Sequence, residues 1–198
     1  MKQFYKVLLG TESSACPGFH YNIDAVTEAN HWDPAGKNPA DMGGFSIATA
    51  AAIIRWICRG NILYDVIIPE DAEIVYPEHP SKSVYGELAR VNKVVLTNPR
   101  PMSDEIAMEF YRKSKFKHDE YYKILAICAV CGHEKTCEAI LHERIGPANA
   151  KKCVHVWENF LTPEHCSYPY NPNLYYQVLK KLCTWAKIDV NNFRPMDV

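Results

Sequence analysis

The fold is decided by the stretch Lys93 to Phe110, KVVLTNPRPMSDEIAMEF, in which a strand pattern changes into a helix pattern. Residues 92–96 are mostly β-branched and aliphatic, as in a buried strand, and Asn98-Pro99 is a turn signal that would end such a strand. Ser103 then offers a capping side chain to a helix that would bury Phe110 on its apolar face. This change of pattern predicts an α+β protein with a boundary near residue 102.

Upstream of that boundary, residues 1–102 alternate short strand patterns with turns. Strands are expected at residues 5–9, 45–48, 62–68, 73–76 and 92–96. Thr49 is a candidate N-cap for a buried helix over residues 50–59, which Gly60 would end. Residues 10–44 are rich in turn formers, and irregular stretches of that length are uncommon unless they are functional or locally folded. The first half is therefore predicted to be an α+β module with a small mixed sheet and one helix.

Downstream of the boundary, the sequence carries helix patterns. Helices are expected to start near Ser103, Asp119, Glu134, Ala148 and Asn171. Asp119, like Ser103, is a candidate N-cap. The last start has the clearest signal, because Asn171 is a capping residue and Pro172 suits the first helical position. We predict an all-helical module over residues 103–198, packed on the module of residues 1–102.

Composition and charge disfavour several functional classes. The chain has 198 residues, 47% of them apolar, and a formal net charge of −1. No basic excess marks a dedicated nucleic-acid binder. The longest apolar run, residues 47–58, is too short for a membrane span and contains Arg55. The opening residues lack the apolar stretch of a signal peptide, so we expect the chain in the cytosol or nucleus.

Eight cysteines indicate free thiols in a reducing compartment. They stand at positions 16, 58, 128, 131, 137, 153, 166 and 183. Secreted disulfide scaffolds are short, carry a signal peptide and are poor in core residues, and this chain has none of these features. Reduced cysteines are therefore the favoured interpretation.

Five short motifs follow one another in residues 4–101. They are Tyr5-Lys6-Val7-Leu8, Gly18-Phe19-His20-Tyr21, Gly43-Gly44-Phe45, Ile68-Pro69-Glu70-Asp71-Ala72 and Lys93-Val94-Val95-Leu96. Their order and spacing resemble a domain of many uncharacterised proteins of giant DNA viruses of amoebae, where it often precedes ankyrin repeats. The chain departs from that family at residues 46–48, where a Tyr-Phe pair is more usual. The resemblance implies an α+β module, a viral origin and a location in the host cytoplasm or nucleus, with packaging into the virion left open; it implies no reaction.

Residues 125–141 resemble a single degenerate ankyrin-type helical hairpin. Ala129 is followed at ankyrin spacing by Gly132-His133 and then by Ile140-Leu141. No second copy occurs at a period near 33 residues, and about three repeats are needed to bury their shared faces. We therefore expect a hairpin stacked on neighbouring helices. By analogy with ankyrin arrays it favours a protein partner.

The helical half contains several cysteines and histidines that could form a metal site. The candidates are Cys128, Cys131, His133, Cys137, Cys153 and His155, with His165 and Cys166 further along. Such ligands at such spacings suit zinc. Cys128 and Cys131, however, fall on one face of an apolar helix pattern, where cysteine is commonly a buried core residue. No metal is favoured, and zinc is the one that these residues would suit.

The order His20, Tyr21, Ser46 and Glu87 is similar to the residues that surround nicotinamide in ADP-ribosyltransferases. The simpler interpretation is that His20 and Tyr21 pack a loop, while Ser46 follows a turn and Glu87 is solvated. Assigning catalytic roles requires that these side chains meet in space.

One basic cluster consists of Arg112, Lys113, Lys115 and Lys117. These residues could contact phosphates. Asp119 and Glu120 follow at once, and the cluster falls at an expected helix end, where basic residues suit the helix dipole. A solvated helix terminus is favoured over a nucleic-acid site.

Together these features favour a non-enzymatic viral accessory protein that binds a host or viral protein. The first alternative is an enzyme acting on NAD or a nucleotide, centred on residues 10–44. The second alternative is nucleic-acid binding through Arg112 to Lys117. The sequence leaves the partner and the oligomeric state open.

Overall fold

Strands come first along the chain and the long helices second, as the change of pattern at residue 102 predicts. The computed structural model describes residues 2–36, 39–78, 82–160 and 171–192. Its strands are β1 (Phe4–Leu8), β2 (Val26–Glu28), β3 (Phe45–Thr49), β4 (Ile62–Ile67), β5 (Ile74–Val75), β6 (Leu88–Val91) and β7 (Lys93–Pro101). Its α-helices are α1 (Pro39–Met42), α2 (Asp104–Lys113), α3 (Glu120–Val130), α4 (Glu134–Glu143), α5 (Ala150–Phe160) and α6 (Pro172–Ala186), and its 3-10 helices are Ile53–Arg59, Lys82–Val84 and Val190–Asn192. The α+β class is confirmed.

The sheet is larger than expected and of a different kind. Its seven strands lie in the order β2-β7-β4-β1-β3-β6-β5, and every pair of them is antiparallel. The prediction of a small mixed sheet is therefore wrong in its detail. It missed β2 and β6, whose segments of three and four residues show little alternation of apolar and polar side chains.

The sheet is strongly curled. β6 and β7 stand four places apart in the strand order, which would separate them by about 19 Å in a flat sheet. Along the chain only Asn92 joins them, so Val91 and Lys93 lie within about 7 Å of each other. The curl encloses an apolar cluster, here called the inner cluster. Its buried members are Phe4, Leu8, Tyr21, Phe45, Ile47, Tyr64, Val66, Ala89, Val91, Val94 and Leu96.

The helices cover part of the outer face of the sheet. Ile54 and Ile57 of the 3-10 helix Ile53–Arg59 are fully buried. They belong to one apolar cluster with Val7 of β1 and Leu125 of α3. α3 in turn contacts this 3-10 helix, α4, α5 and α6. Residues on both sides of position 102 therefore share a core.

The helix predicted over residues 50–59 is shorter and of another type. Thr49 does not start a helix but ends β3, and its hydroxyl donates to Glu87 Oε2 at 2.6 Å. A turn follows before the 3-10 helix Ile53–Arg59 begins. Gly60 follows that helix, and a side chain is excluded there because a Cβ would overlap the Leu8 carbonyl.

The turn signal Asn98-Pro99 does not end β7. Asn98 has a positive φ of 51°, and the register with β4 shifts between Leu63 and Asp65. These are the features of a β-bulge, where proline is tolerated because a ladder hydrogen bond is already missing. β7 therefore continues to Pro101.

Two of the four predicted N-caps are confirmed. The Ser103 hydroxyl accepts a hydrogen bond from Ile106 N at 3.3 Å, and the Asn171 side chain accepts one from Leu174 N at 3.2 Å. Asp119 makes no side-chain capping bond, because its backbone is already helical (φ −66°, ψ −25°). α3 therefore begins without the predicted cap.

α3 and α4 contact each other across Gly132, which has a positive φ of 81°. The Gly132-His133 break is thus where it was predicted. Cys137, Ile140 and Leu141 of α4 are buried, as expected. α3 is buried from Ile124 to Val130 and not along one face alone, because it is surrounded by other helices. The likeness to an ankyrin repeat stays a prediction.

Candidate functional sites

His20 and Tyr21 take up different positions in the fold. His20 is exposed, and its Nδ1 lies 3.2 Å from the Thr11 hydroxyl. Tyr21 is buried in the inner cluster, with its ring centroid 5.0 Å from that of Phe45. Burial raises the pKa of the Tyr21 phenol. Tyr21 thus packs the loop onto the sheet.

Ser46 joins two basic side chains. Arg90 Nη1 donates to Ser46 Oγ at 2.6 Å, and Lys6 Nζ donates to the Ser46 carbonyl oxygen at 2.9 Å. Arg90 Nε also donates to the Gly43 carbonyl at 2.8 Å. The Lys6 ammonium lies 5.2 Å from the centroid of the Tyr21 ring. Lys6, Ser46 and Arg90 are called the Ser46 cluster below.

Glu87 lines a surface hollow. This hollow has a volume of about 450 Å³ and is lined by Lys2, Gln3, Tyr5, Thr49, Ala50, Ala51, Glu87, Lys113 and Lys115. Lys115 Nζ donates to Glu87 Oε1 at 2.7 Å, and Thr49 donates to Oε2. Burial raises the pKa of Glu87, but the hydrogen bonds from Lys115 and Thr49 outweigh it, so that the pKa lies below its ordinary value. Glu87 is therefore an ionised, nearly buried carboxylate and not the solvated residue of the simpler interpretation.

The four residues compared with ADP-ribosyltransferases do not form one set of contacts. Ser46 bonds with Lys6 and Arg90, whereas Glu87 bonds with Thr49 and Lys115. His20 bonds with neither Ser46 nor Glu87. The enzymatic role stays an alternative, and its four candidate residues do not meet in one site.

Most of the described thiols of the helical half are core residues. Cys128, Cys137 and Cys153 are buried, and burial raises the pKa of each thiol. Cys131 is only partly buried by surface area, although burial raises the pKa of its thiol as well. Within residues 2–36, 39–78, 82–160 and 171–192, no three His, Cys, Asp or Glu side chains are grouped as metal ligands.

The two histidines among the metal candidates differ in exposure. His133 is buried, which lowers its pKa, and its Nε2 makes no hydrogen bond within the described part of the chain. His155 is exposed, with Nδ1 3.4 Å from Glu158 Oε2. His165 and Cys166 lie outside the described residues. Zinc binding, which the sequence did not favour, therefore stays an open alternative.

The basic cluster is largely neutralised. Arg112 pairs with Glu143 at 2.6 Å, Lys113 with Glu109 at 2.5 Å and Lys115 with Glu87 at 2.7 Å. Lys117 is exposed and makes no ion pair with a described carboxylate. Three of the four charges thus have a carboxylate partner, which favours a solvated helix end over a phosphate-binding surface.

An exposed aliphatic surface lies on the outer face of the sheet, and sequence reasoning missed it. Ile67 of β4 is paired with Val95 of β7, and Val95 with Val26 of β2, so the three side chains are neighbours across three strands. They face outward, because Val94 and Leu96 on either side of Val95 belong to the inner cluster. Ile67 is 54% exposed and Val26 47%. We call Val26, Val95 and Ile67 the aliphatic row.

Charged residues border the aliphatic row at one end. Lys93 Nζ lies 3.1 Å from Glu28 Oε1 and 2.6 Å from Asp71 Oδ2. These two carboxylates outnumber the single ammonium, so this end carries a net negative charge. The only sequence signal for the row would have been the β2 segment, which the prediction did not include.

Comparison with known proteins gives no relative. No family model, no curated protein and no solved structure matches the chain. Among the described residues, no helix has the length and apolarity needed to cross a membrane.

Proposed function

We propose that this chain binds another protein through the aliphatic row. The observation that carries the proposal is the exposure of Ile67 and Val26 on adjacent parts of one sheet face. Single exposed aliphatic residues are normal, but three aligned across neighbouring strands form a continuous apolar strip. Covering the strip would remove apolar surface from water, which would favour binding by about 25 cal/mol for each Å² buried.

The charges beside the row determine which kind of partner would fit. Glu28 and Asp71 share a single ammonium, that of Lys93. A partner with apolar side chains at the centre of its surface and a basic residue at the edge would complement this arrangement. The partner is therefore expected to be a protein with a locally basic rim.

The wider setting comes from the resemblance of residues 4–101 to the giant-virus domain. On that basis we propose an accessory protein of a large DNA virus, acting on a host or viral protein in the host cytoplasm or nucleus. The absence of one assembled set of catalytic candidates supports a binding role over a catalytic one.

The test is capture of partners from infected cells with tagged wild-type protein and with two variants of the row. Ile67→Lys and Val26→Lys each place a charge in the apolar strip, and the added cation also repels a basic rim. We expect both to lose a partner that the wild type retains. Tyr85→Lys is the matched control, because Tyr85 is 66% exposed and lies outside the row, and it should retain the partner.

Three results would count against the proposal. The wild type could capture no reproducible partner, the row variants could capture it as well as the wild type does, or the row could mediate self-association. Self-association would appear as a wild-type dimer that becomes monomeric in Ile67→Lys.

One observation favours the enzymatic alternative. The ionised carboxylate of Glu87 faces a hollow large enough for a small ligand, beside the ammonium groups of Lys2 and Lys115. If the chain acts on NAD, wild-type protein should consume it or modify itself, and Glu87→Gln should not. Equal turnover by the two proteins would exclude a role for this carboxylate.

A further inference from the structure

We propose that the Ser46 cluster binds the phosphoryl group of a small molecule, held between the Lys6 ammonium, the Ser46 hydroxyl and the Arg90 guanidinium. The site is separate from the aliphatic row and does not depend on it. It also does not require the four-residue catalytic arrangement suggested by the sequence.

The first argument is that the cluster holds two uncompensated cations. Four other partly buried basic side chains have carboxylate partners: Arg55 and Lys123 pair with Glu120, Lys93 with Glu28 and Asp71, and Arg100 with Asp65. Lys6 and Arg90 are also partly buried. Their described hydrogen-bond acceptors, however, are the Ser46 hydroxyl and the carbonyl oxygens of residues 43, 44 and 46.

A carbonyl oxygen satisfies a hydrogen bond but does not neutralise a charge. Removing a cation from water without a counter-ion is costly. That cost is visible in the pKa of Lys6. Burial and the positive charge of Arg90 lower the pKa of Lys6 to about 8, and only the Cys16 thiol acts in the opposite direction. A bound anion would supply the missing counter-charge.

The second argument is the supply of free hydrogen-bond donors. Ser46 Oγ accepts from Arg90, so its own hydroxyl proton can be donated to a ligand, and Ser46 is exposed. An ammonium has three donors and a guanidinium five, of which the described bonds occupy only some. Arg90 donates to this hydroxyl directly, and Lys6 donates to the carbonyl oxygen of the same residue.

The third argument concerns the kind of anion. Donors on three separate groups suit an oxyanion with oxygens in several directions, and Arg and Lys are the usual partners of phosphate. Lys6 shares a face of β1 with Phe4 and Leu8 of the inner cluster, and its ammonium lies against the Tyr21 ring. A group that reaches this ammonium must be small, which favours the phosphoryl end of a small molecule.

The experiment is calorimetric titration of the full chain with inorganic phosphate, in buffers matched for ionic strength with sodium chloride. We expect saturable binding by wild-type protein. Ser46→Ala removes one donor at an exposed position and should weaken the affinity about tenfold. Arg90→Gln removes a charge and should abolish detectable binding.

Lys117→Gln is the matched control, because it removes one exposed cation that pairs with no described carboxylate and lies outside the cluster, and it should leave the affinity unchanged. Circular dichroism checks that each variant is folded, and Ser46→Ala keeps the test decisive if Arg90→Gln does not fold. The proposal is overturned if the wild type shows no phosphate binding beyond that of chloride, if Ser46→Ala binds as tightly as the wild type, or if Lys117→Gln weakens binding as much as Ser46→Ala does. Titration with a nucleoside monophosphate then distinguishes a nucleotide from free phosphate, since tighter binding indicates contacts beyond the phosphoryl group.

Discussion

At the scale of the residue, the environment of a charged group decides whether it contributes stability. Arg100 and Asp65 are both partly buried and form an ion pair at 2.7 Å, and this contact with Arg100 lowers the pKa of Asp65. Lys6 is partly buried as well, but it bonds with the Ser46 carbonyl and lies near a second cation. Nothing in the sequence around Lys6 distinguishes it from a solvated lysine.

The low pKa of Lys6 has a consequence for stability. The folded value of about 8 lies below the ordinary 10.5 of an unfolded chain. At pH values between these two pKa values, Lys6 is protonated in the unfolded chain and largely deprotonated in the folded chain. The unfolded state therefore binds more protons, and the free energy of unfolding of the wild type rises with pH. Lys6→Met lacks this contribution. We expect the difference in unfolding free energy, Lys6→Met minus wild type, to decrease as the pH rises from 8 towards 10.5.

Urea denaturation of both proteins at several pH values measures this difference. Lys117→Met is the control for an exposed lysine. A difference for Lys6→Met that stays constant over the whole interval would show that Lys6 keeps its ordinary pKa in the folded chain.

At the scale of the element, helix starts were predicted from capping residues more accurately than strands were predicted from apolar alternation. Ser103 and Asn171 cap α2 and α6 through their side chains. The residues before α3 show the same kind of signal, but Asp119 has a helical backbone and makes no capping bond. A capping side chain must come from an extended residue to reach back to the first turn, and the sequence does not report that backbone angle.

This contrast gives a paired prediction. Ser103→Ala removes the hydrogen bond to Ile106 N and should lower the free energy of unfolding by about 1 kcal/mol. Asp119→Ala removes no capping bond and should change it by less than about 0.5 kcal/mol. Urea denaturation of the two variants beside the wild type provides the measurement, and equal losses would contradict the difference in capping.

At the scale of the whole molecule, the boundary near residue 102 separates strand-rich from helical sequence, but the core crosses it. Ile57 is fully buried and belongs to the cluster that joins Val7 of β1 with the helices. The 3-10 helix that carries Ile57 contacts β1 on one side and α3 on the other. The sheet and the helical layer are therefore expected to unfold together.

Ile57→Ala tests this coupling. The truncation leaves a cavity between the sheet and α3 and should cost about 2–5 kcal/mol of unfolding free energy. Helical circular dichroism and aromatic fluorescence should shift to the same lower midpoint in urea. A shift of one signal without the other would mean that the two layers unfold separately.

The sequence by itself determined the α+β class, the change from strands to helices near residue 102 and the starts of α2 and α6. These depend on local properties: hydrophobic period, turn residues and capping side chains within a few positions of one another. Only the tertiary structure decided the curl of the sheet, the aliphatic row and the Ser46 cluster. Val26, Ile67 and Val95 become neighbours through strand pairing, and Lys6 meets Ser46 and Arg90 in the same way. The physical reason is that pairing between distant strands depends on the packing of the whole chain, which no local pattern records.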